Sequence, residues 1–286
     1  MEVKELLSEG LASGTRKRYV DVQQRFVDFC AIHNLCPCPC TGDTILRFLA
    51  WSRDGGAKPG AGVNVAVAAI RNLLIMNGAD LACLGDPRLK QMRLALIKET
   101  PKRESRQPLT CENLRAICAS LGDSFSDRLF KAGLTLGFFG LLRLSDFMLK
   151  SGSEKEASLL ISGVTWEPEG LVLTLQGTKT DRQNRGQTVT IAATRDGVCP
   201  KEVLVRYLLV RPRSGSKSLL LNPDGKPLTA WNFRKRLIAE CGKAGIEGNV
   251  NGHSLRIGGA TALSNLGVQE ETIRTMGRWK SDVAKR

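Results

Sequence analysis

Residues 98–108, KETPKRESRQP, cut the sequence into two blocks with different patterns. The stretch is charged, holds two prolines and has no apolar periodicity, so it reads as a linker. Before it, the pattern is helical throughout. Within 13–34, Tyr19, Val22, Phe26, Phe29 and Cys30 recur at three- and four-residue spacing, which puts one apolar stripe on a helix. Ser13 or Thr15 is placed to cap it. A second helix is expected over 42–53, from Ile45, Leu46, Phe48 and Leu49. GGAKPGAG at 55–62 is a break, and a third helix follows to Met76. A fourth starts with Pro87 at a first helical position and runs to Lys98. Residues 1–98 are therefore expected to form a four-helix bundle, with 99–108 as linker.

After the linker the pattern changes. Residues 110–121 and 125–142 are helical by periodicity. Three β-type runs follow at 159–166, 171–176 and 187–191, and the last two flank the polar segment TKTDRQNRG as a hairpin. Further helices are expected near 199–210, 229–243, 253–265 and 269–277. The fold class is therefore mainly α with a small antiparallel β-sheet, and the second domain is α+β over 109–286. There is no internal repeat.

Charge narrows the partner. The chain carries 42 Lys+Arg against 28 Asp+Glu, a net +14, and most of the excess lies beyond residue 106. Such a balance fits a polyanion, with nucleic acid the usual one, although a soluble basic enzyme has the same composition. No apolar stretch reaches the roughly 20 residues that span a bilayer, and MEVKELLSEG lacks the apolar core of a secretory signal. An intracellular protein without a membrane partner is expected.

Nine cysteines, an odd number, read as reduced thiols and mostly core filler. His33, Cys36, Cys38 and Cys40 place four potential zinc ligands within eight residues. Pro37 and Pro39 hold that run extended, and its spacing is not that of paired zinc ligands. A loop with no metal is expected. Arg16, Lys17 and Arg18 fall in the first turn of the first helix, where the helix dipole disfavours cations. They suit a nearby phosphate, and equally a solvated face; they are candidate DNA contacts.

Four short motifs carry chemistry. GLLRLSDF (140–147) puts Arg143 and Asp146 just after a very apolar helix, where an arginine is costly unless paired or facing an anion. A surface Arg143–Asp146 pair is the plainer reading. LQGTKTDRQNRG (175–186) puts Lys179 near a hairpin tip, able to reach a groove as a point charge or proton donor. GHSLRIGGAT (252–261) places His253 and Arg256 three residues apart at a helix start. Its glycines permit close backbone approach, to another helix or to a phosphate. MGRWKSD (276–282) places Trp279 after a Gly-Arg turn.

In this order and at these separations, the four motifs resemble the tyrosine recombinase or phage-integrase family along nearly the whole chain. HSLRIGGATALSNLGVQEETIRTMGRWKSD is the most specific part, and it looks closest to integrases of Crypton or DIRS-type mobile elements. The resemblance implies a helical core-binding domain followed by a catalytic domain, and double-stranded DNA as partner. It implies site-specific DNA recombination or integration through a 3′-phosphotyrosyl intermediate, with no metal or cofactor. By the same resemblance, Arg143 and Arg256 grip the scissile phosphate. Lys179 protonates the leaving 5′-hydroxyl, His253 serves in acid–base chemistry, Trp279 hydrogen-bonds the phosphate through its indole N–H, and Asp146 supports His253 or Arg143. A host that is eukaryotic would place the protein in the nucleus.

The family's nucleophilic tyrosine is expected at position 287 or 288, just after Arg286. Tyr19 and Tyr207 both lie in apolar helical patterns and read as packing residues. The chain is thus expected to end before the nucleophile, as a truncated recombinase, a mobile-element remnant or a cleavage-inactive DNA-binding protein. Family members form homotetramers on DNA by exchanging a C-terminal segment, so weak assembly is expected here. A type IB topoisomerase-like enzyme shares the chemistry, but the small first domain and short length argue against it.

Overall fold

The computed structural model describes residues 2–55, 59–101, 104–149, 157, 159–176 and 186–279. The chain divides into two compact units, Met1–Arg103 and Glu104–Arg286.

The first unit holds α1 (Glu2–Glu9), α2 (Ser13–Ile32), α3 (Gly42–Asp54), α4 (Pro59–Met76) and α5 (Pro87–Glu99). The stripe on α2 buries Val22, Phe26, Phe29 and Cys30. They meet Ile45, Phe48 and Leu49 of α3 and Ile70 and Leu74 of α4 in one apolar core. Phe26 meets Phe48 edge to face at 5.1 Å between ring centroids, and Phe29 lies 5.4 Å from Trp51. Such pairs add to the burial of ring area. Phe48 is fully buried, so Phe48→Ala is expected to cost about 3–5 kcal/mol, read as a lower urea midpoint for the transition of the first unit.

Helix ends follow local chemistry. Thr41 Oγ1 accepts from Thr44 N at 3.1 Å to start α3, and Asp86 Oδ1 accepts from Arg88 N at 2.9 Å to start α5 on Pro87. Two expectations are corrected. The N-cap of α2 is Ala12, with no side-chain cap, because the helix starts a residue earlier and Ser13 already lies in its first turn. The break before α4 is shorter than GGAKPGAG, since α4 begins at Pro59, a residue compatible with a first helical turn. α1 is an element that the residue pattern does not predict; its Val3, Leu6 and Leu7 are exposed.

The second unit begins inside the expected linker. Gln107 N donates to Asn249 O at 3.1 Å and Leu109 N to Ser254 O at 3.0 Å, which ties this strap to the chain entering a later helix. Then come α6 (Cys111–Ser120), α7 (Phe125–Phe139), α8 (Leu144–Phe147), β1 (Leu159–Glu167), β2 (Gly170–Leu175) and β3 (Gln187–Ala192). They are followed by α9 (Pro200–Leu208), α10 (Ala230–Lys243), α11 (Gly252–Asn265) and α12 (Glu270–Gly277). The sheet is antiparallel in the order β1-β2-β3, with Leu173 opposite Val164 on one side and Val189 on the other. Leu171, Leu173 and Leu175 alternate inward along β2, as a half-buried strand requires. α7 is buried nearly all round, which is why its sequence is so apolar.

α11 packs against this centre at close range. A Cβ on Gly258 would run into the Leu109 carbonyl, and one on Gly259 into the Phe138 carbonyl. The glycines therefore admit protein backbone, which decides between the two readings of the GHSLRIGGAT motif. No helix among the described residues is long and apolar enough to cross a membrane.

Candidate phosphate-binding site

The site grows from the end of α7. Gly140 closes that helix, and Leu141 follows in the left-handed region at φ 46°. Arg143 comes two residues later, as the N-cap residue of α8. Arg143 N donates to Asp146 Oδ2 at 3.1 Å, and Asp146 N donates to Arg143 O at 2.7 Å. Arg143 Nη1 is 4.0 Å from the same carboxylate oxygen. Arg143 keeps 22% of its side chain exposed, while Asp146 keeps 1%.

α11 supplies the next two groups. Asn251 starts the helix: its Oδ1 accepts from His253 N at 3.0 Å, and its N–H donates to Ser254 Oγ at 3.0 Å. His253 and Arg256 follow, one and four residues into the helix. His253 is open to solvent, whereas Arg256 is 2% exposed. Arg256 Nη1 donates to Leu141 O at 2.6 Å and Nη2 donates to Gly277 O. Its guanidinium lies 4.4 Å from the centroid of Trp279, a cation–π contact.

The third contributor is the end of α12. Arg278 is its C-cap, and Arg278 Nη2 donates to Asp146 Oδ2 at 3.2 Å and to Leu141 O at 3.3 Å. Three guanidiniums, Arg143, Arg256 and Arg278, thus gather around one buried carboxylate. Burial and then Arg143 and Arg278 push Arg256 down to about 9, with Asp146 opposing them. Burial lowers Arg278 too, offset first by Asp146. An excess of positive charge held out of water is an arrangement that an anion relieves.

His253 faces the same charges. Partial desolvation, then Arg106, Arg256, Arg143 and Arg234, holds its imidazole below the ordinary value of 6.5. An imidazole held there is neutral at pH 7 and can accept a proton. Its NMR titration is therefore expected below 6.5, moving upward when a duplex brings phosphates close. A midpoint above 6.5 in the free protein would contradict this electrostatic picture.

Solved structures align with nearly the whole chain. The Tn1549 transposon integrase in complex with circular intermediate DNA covers 98% of this chain and 92% of its own, at TM-score 0.61 and 14% identity. A lambda integrase dimer bound to a COC′ core site covers 98% and 90%, at TM-score 0.60 and 16% identity. The chain has the tyrosine-recombinase fold. A lambda integrase tetramer bound to a Holliday junction aligns similarly, at TM-score 0.59, 16% identity and 98% and 75% coverage. No protein-family model and no curated protein matches the sequence.

Within this recombinase fold, the motif residues Arg143, Asp146, Arg256 and Trp279 come together, and His253 stands on the same helix as Arg256. Lys179 lies outside the described residues, on the connection between β2 and β3. Asp146 bonds Arg143 and Arg278, so the structure gives it a place beside the arginines rather than a contact to His253. Arg278 joins them although the MGRWKSD motif points first to the neighbouring Trp279. Its one signal in the sequence is position: a non-glycine residue immediately after a helix-ending Gly277. Arg106 looks like linker charge in the sequence, yet its segment is tied beside the start of α11.

Tyr207 is fully buried, its hydroxyl 2.8 Å from Leu221 N and 3.3 Å from Leu221 O. Tyr19 packs on the core of the first unit. Arg16, Lys17 and Arg18 are exposed on α2. Cys40 and Cys83 lie 4.0 Å apart at sulfur, and among the described residues no group of His, Cys, Asp and Glu is placed to hold a metal ion.

Proposed function

We propose that this protein binds double-stranded DNA and activates a phosphodiester for site-specific recombination or integration. The observation that carries the reading is the cluster of Arg143, Arg256 and Arg278 around Asp146, built where the recombinase fold brings α8, α11 and α12 together. A buried site with surplus guanidinium is suited to the five-coordinate phosphate, whose charge grows in the transition state. The lambda and Tn1549 integrases that share the fold were solved as DNA complexes, which supports DNA as the source of that phosphate.

In this reading Arg143 and Arg256 hold the non-bridging oxygens, and Trp279, now stacked on Arg256, turns its indole N–H to the phosphate. The phenol oxygen that bonds to phosphorus would come from a tyrosine following Arg286. The bond from phosphorus to the 5′-oxygen breaks, Lys179 gives that oxygen its proton, and neutral His253 takes the proton that leaves the phenol. The bond energy stays in the 3′-phosphotyrosyl link, ready for rejoining to another strand. Related Crypton or DIRS-type mobile elements are the proposed origin.

A second reading is duplex binding without cleavage. In either reading Tyr207 is a packing residue, its buried hydroxyl engaged by Leu221, and the phosphate-holding arginines can grip a duplex phosphate without cutting it.

Duplex affinity tests the binding shared by both readings. If roughly six phosphates are neutralised, affinity is expected to fall by about 10³-fold between roughly 50 and 200 mM salt. Replacing Arg16, Lys17 and Arg18 together by alanine is expected to flatten that slope by about one unit for each phosphate the triple variant no longer neutralises. Binding that ignores salt would rule out both.

A further inference from the structure

We infer that Arg278 is a positioning residue of the phosphate site, holding together the anchors of Arg143 and Arg256. The inference rests on the proposed phosphate chemistry but assigns a residue to which the motifs give no role. Arg278 Nη2 donates to Leu141 O, which also accepts from Arg256 Nη1 at 2.6 Å. It donates as well to Asp146 Oδ2, which also accepts from the Arg143 main chain at 3.1 Å. Among the described residues, Arg278 is the side chain hydrogen-bonded to both anchors. Arg256 reaches the other side of the same corner through the carbonyl of Gly277, the residue just before Arg278.

Helix ending alone does not account for this residue. Arg278 has φ 55°, the left-handed position after a helix where glycine is the usual choice and a side chain brings strain. Its side chain is 11% exposed, and Nε and Nη1 are buried with no protein partner among the described residues. Burying a cation at a strained position is costly on both counts. The return is geometric: one fork bonds two acceptors, and those acceptors set where the other two guanidiniums point. Arg278 does not itself need to touch the phosphate.

Arg278→Gly relieves the strain at φ 55° but removes a partner of buried Asp146, so the melting temperature is read beside every binding measurement. Binding of inorganic orthovanadate, which adopts five-coordinate geometry, is measured by calorimetry on the intact chain. The expected result is at least tenfold weaker binding in Arg278→Gly, partial recovery in Arg278→Lys, and restoration when methylguanidinium fills the vacated space. Vanadate affinity within twofold of the native chain would overturn the role. So would a loss that tracks a lower melting temperature and is not restored by methylguanidinium, because that marks Arg278 as purely structural. A native chain that binds no vanadate would remove the phosphate site itself, and this inference with it.

Discussion

Arg256→Ala is expected to slow strand cleavage by at least about 10²–10³-fold in a chain that carries its nucleophilic tyrosine. Duplex affinity should change far less, because many phosphates outside the site share the binding energy. The magnitude follows from what Arg256 is asked to do. It is buried, it faces Trp279, and it is already oriented by the carbonyls of Leu141 and Gly277. A donor fixed in this way needs no rearrangement as charge develops on phosphorus. Cleavage by the alanine variant within tenfold of the parent would remove Arg256 from the chemistry. An equal loss of cleavage and affinity would instead mark it as a uniform binding contact.

Gly258→Val is expected to destabilise the second unit by about 3 kcal/mol or more, the upper end of overpacking costs. The obstacle is the Leu109 carbonyl, which is backbone and cannot turn aside like a flexible side chain. That carbonyl belongs to the strap whose Leu109 N–H bonds Ser254, so displacing it also disturbs the start of α11 and hence His253 and Arg256. Thermal unfolding of the whole chain should show the transition of the second unit falling while that of the first stays put. A variant with both transitions unchanged would mean that α11 and the strap are less tightly packed than described.

Much of this architecture is legible in residue patterns, and the reasons differ by region. The α2 stripe is readable because its buried positions are large and regularly spaced. The β2–β3 hairpin is readable because β-type runs flank a polar segment, and Leu173 does lie opposite Val189. The four short motifs stand out because each couples a charged residue to an abrupt local change, whether a helix end, a hairpin or a glycine pair. What escapes is set by contacts distant in sequence. The strap at Arg106–Leu109 looks like linker because its pattern is charged and proline-rich, yet its hydrogen bonds go to Asn249 and Ser254. Arg278 escapes for the same reason, since its partners Leu141 and Asp146 lie more than a hundred residues away. The cap of α2 cannot be chosen by residue type, because its N-cap is Ala12, which has no side-chain bond to offer.

Whether this site activates a phosphodiester of duplex DNA is decided by looking for a covalent adduct. Duplexes are first enriched by the chain from a randomised pool. They are then incubated with the chain extended past Arg286 so that a tyrosine stands at position 287 or 288, and the products are run under denaturing conditions. The expected products are a protein–DNA adduct joined through a 3′-phosphate and a released strand with a free 5′-hydroxyl, with no adduct when Arg143 and Arg256 are both alanine. No adduct with the tyrosine present and the duplex bound, or an adduct that persists in the double alanine variant, would refute phosphodiester activation at this cluster.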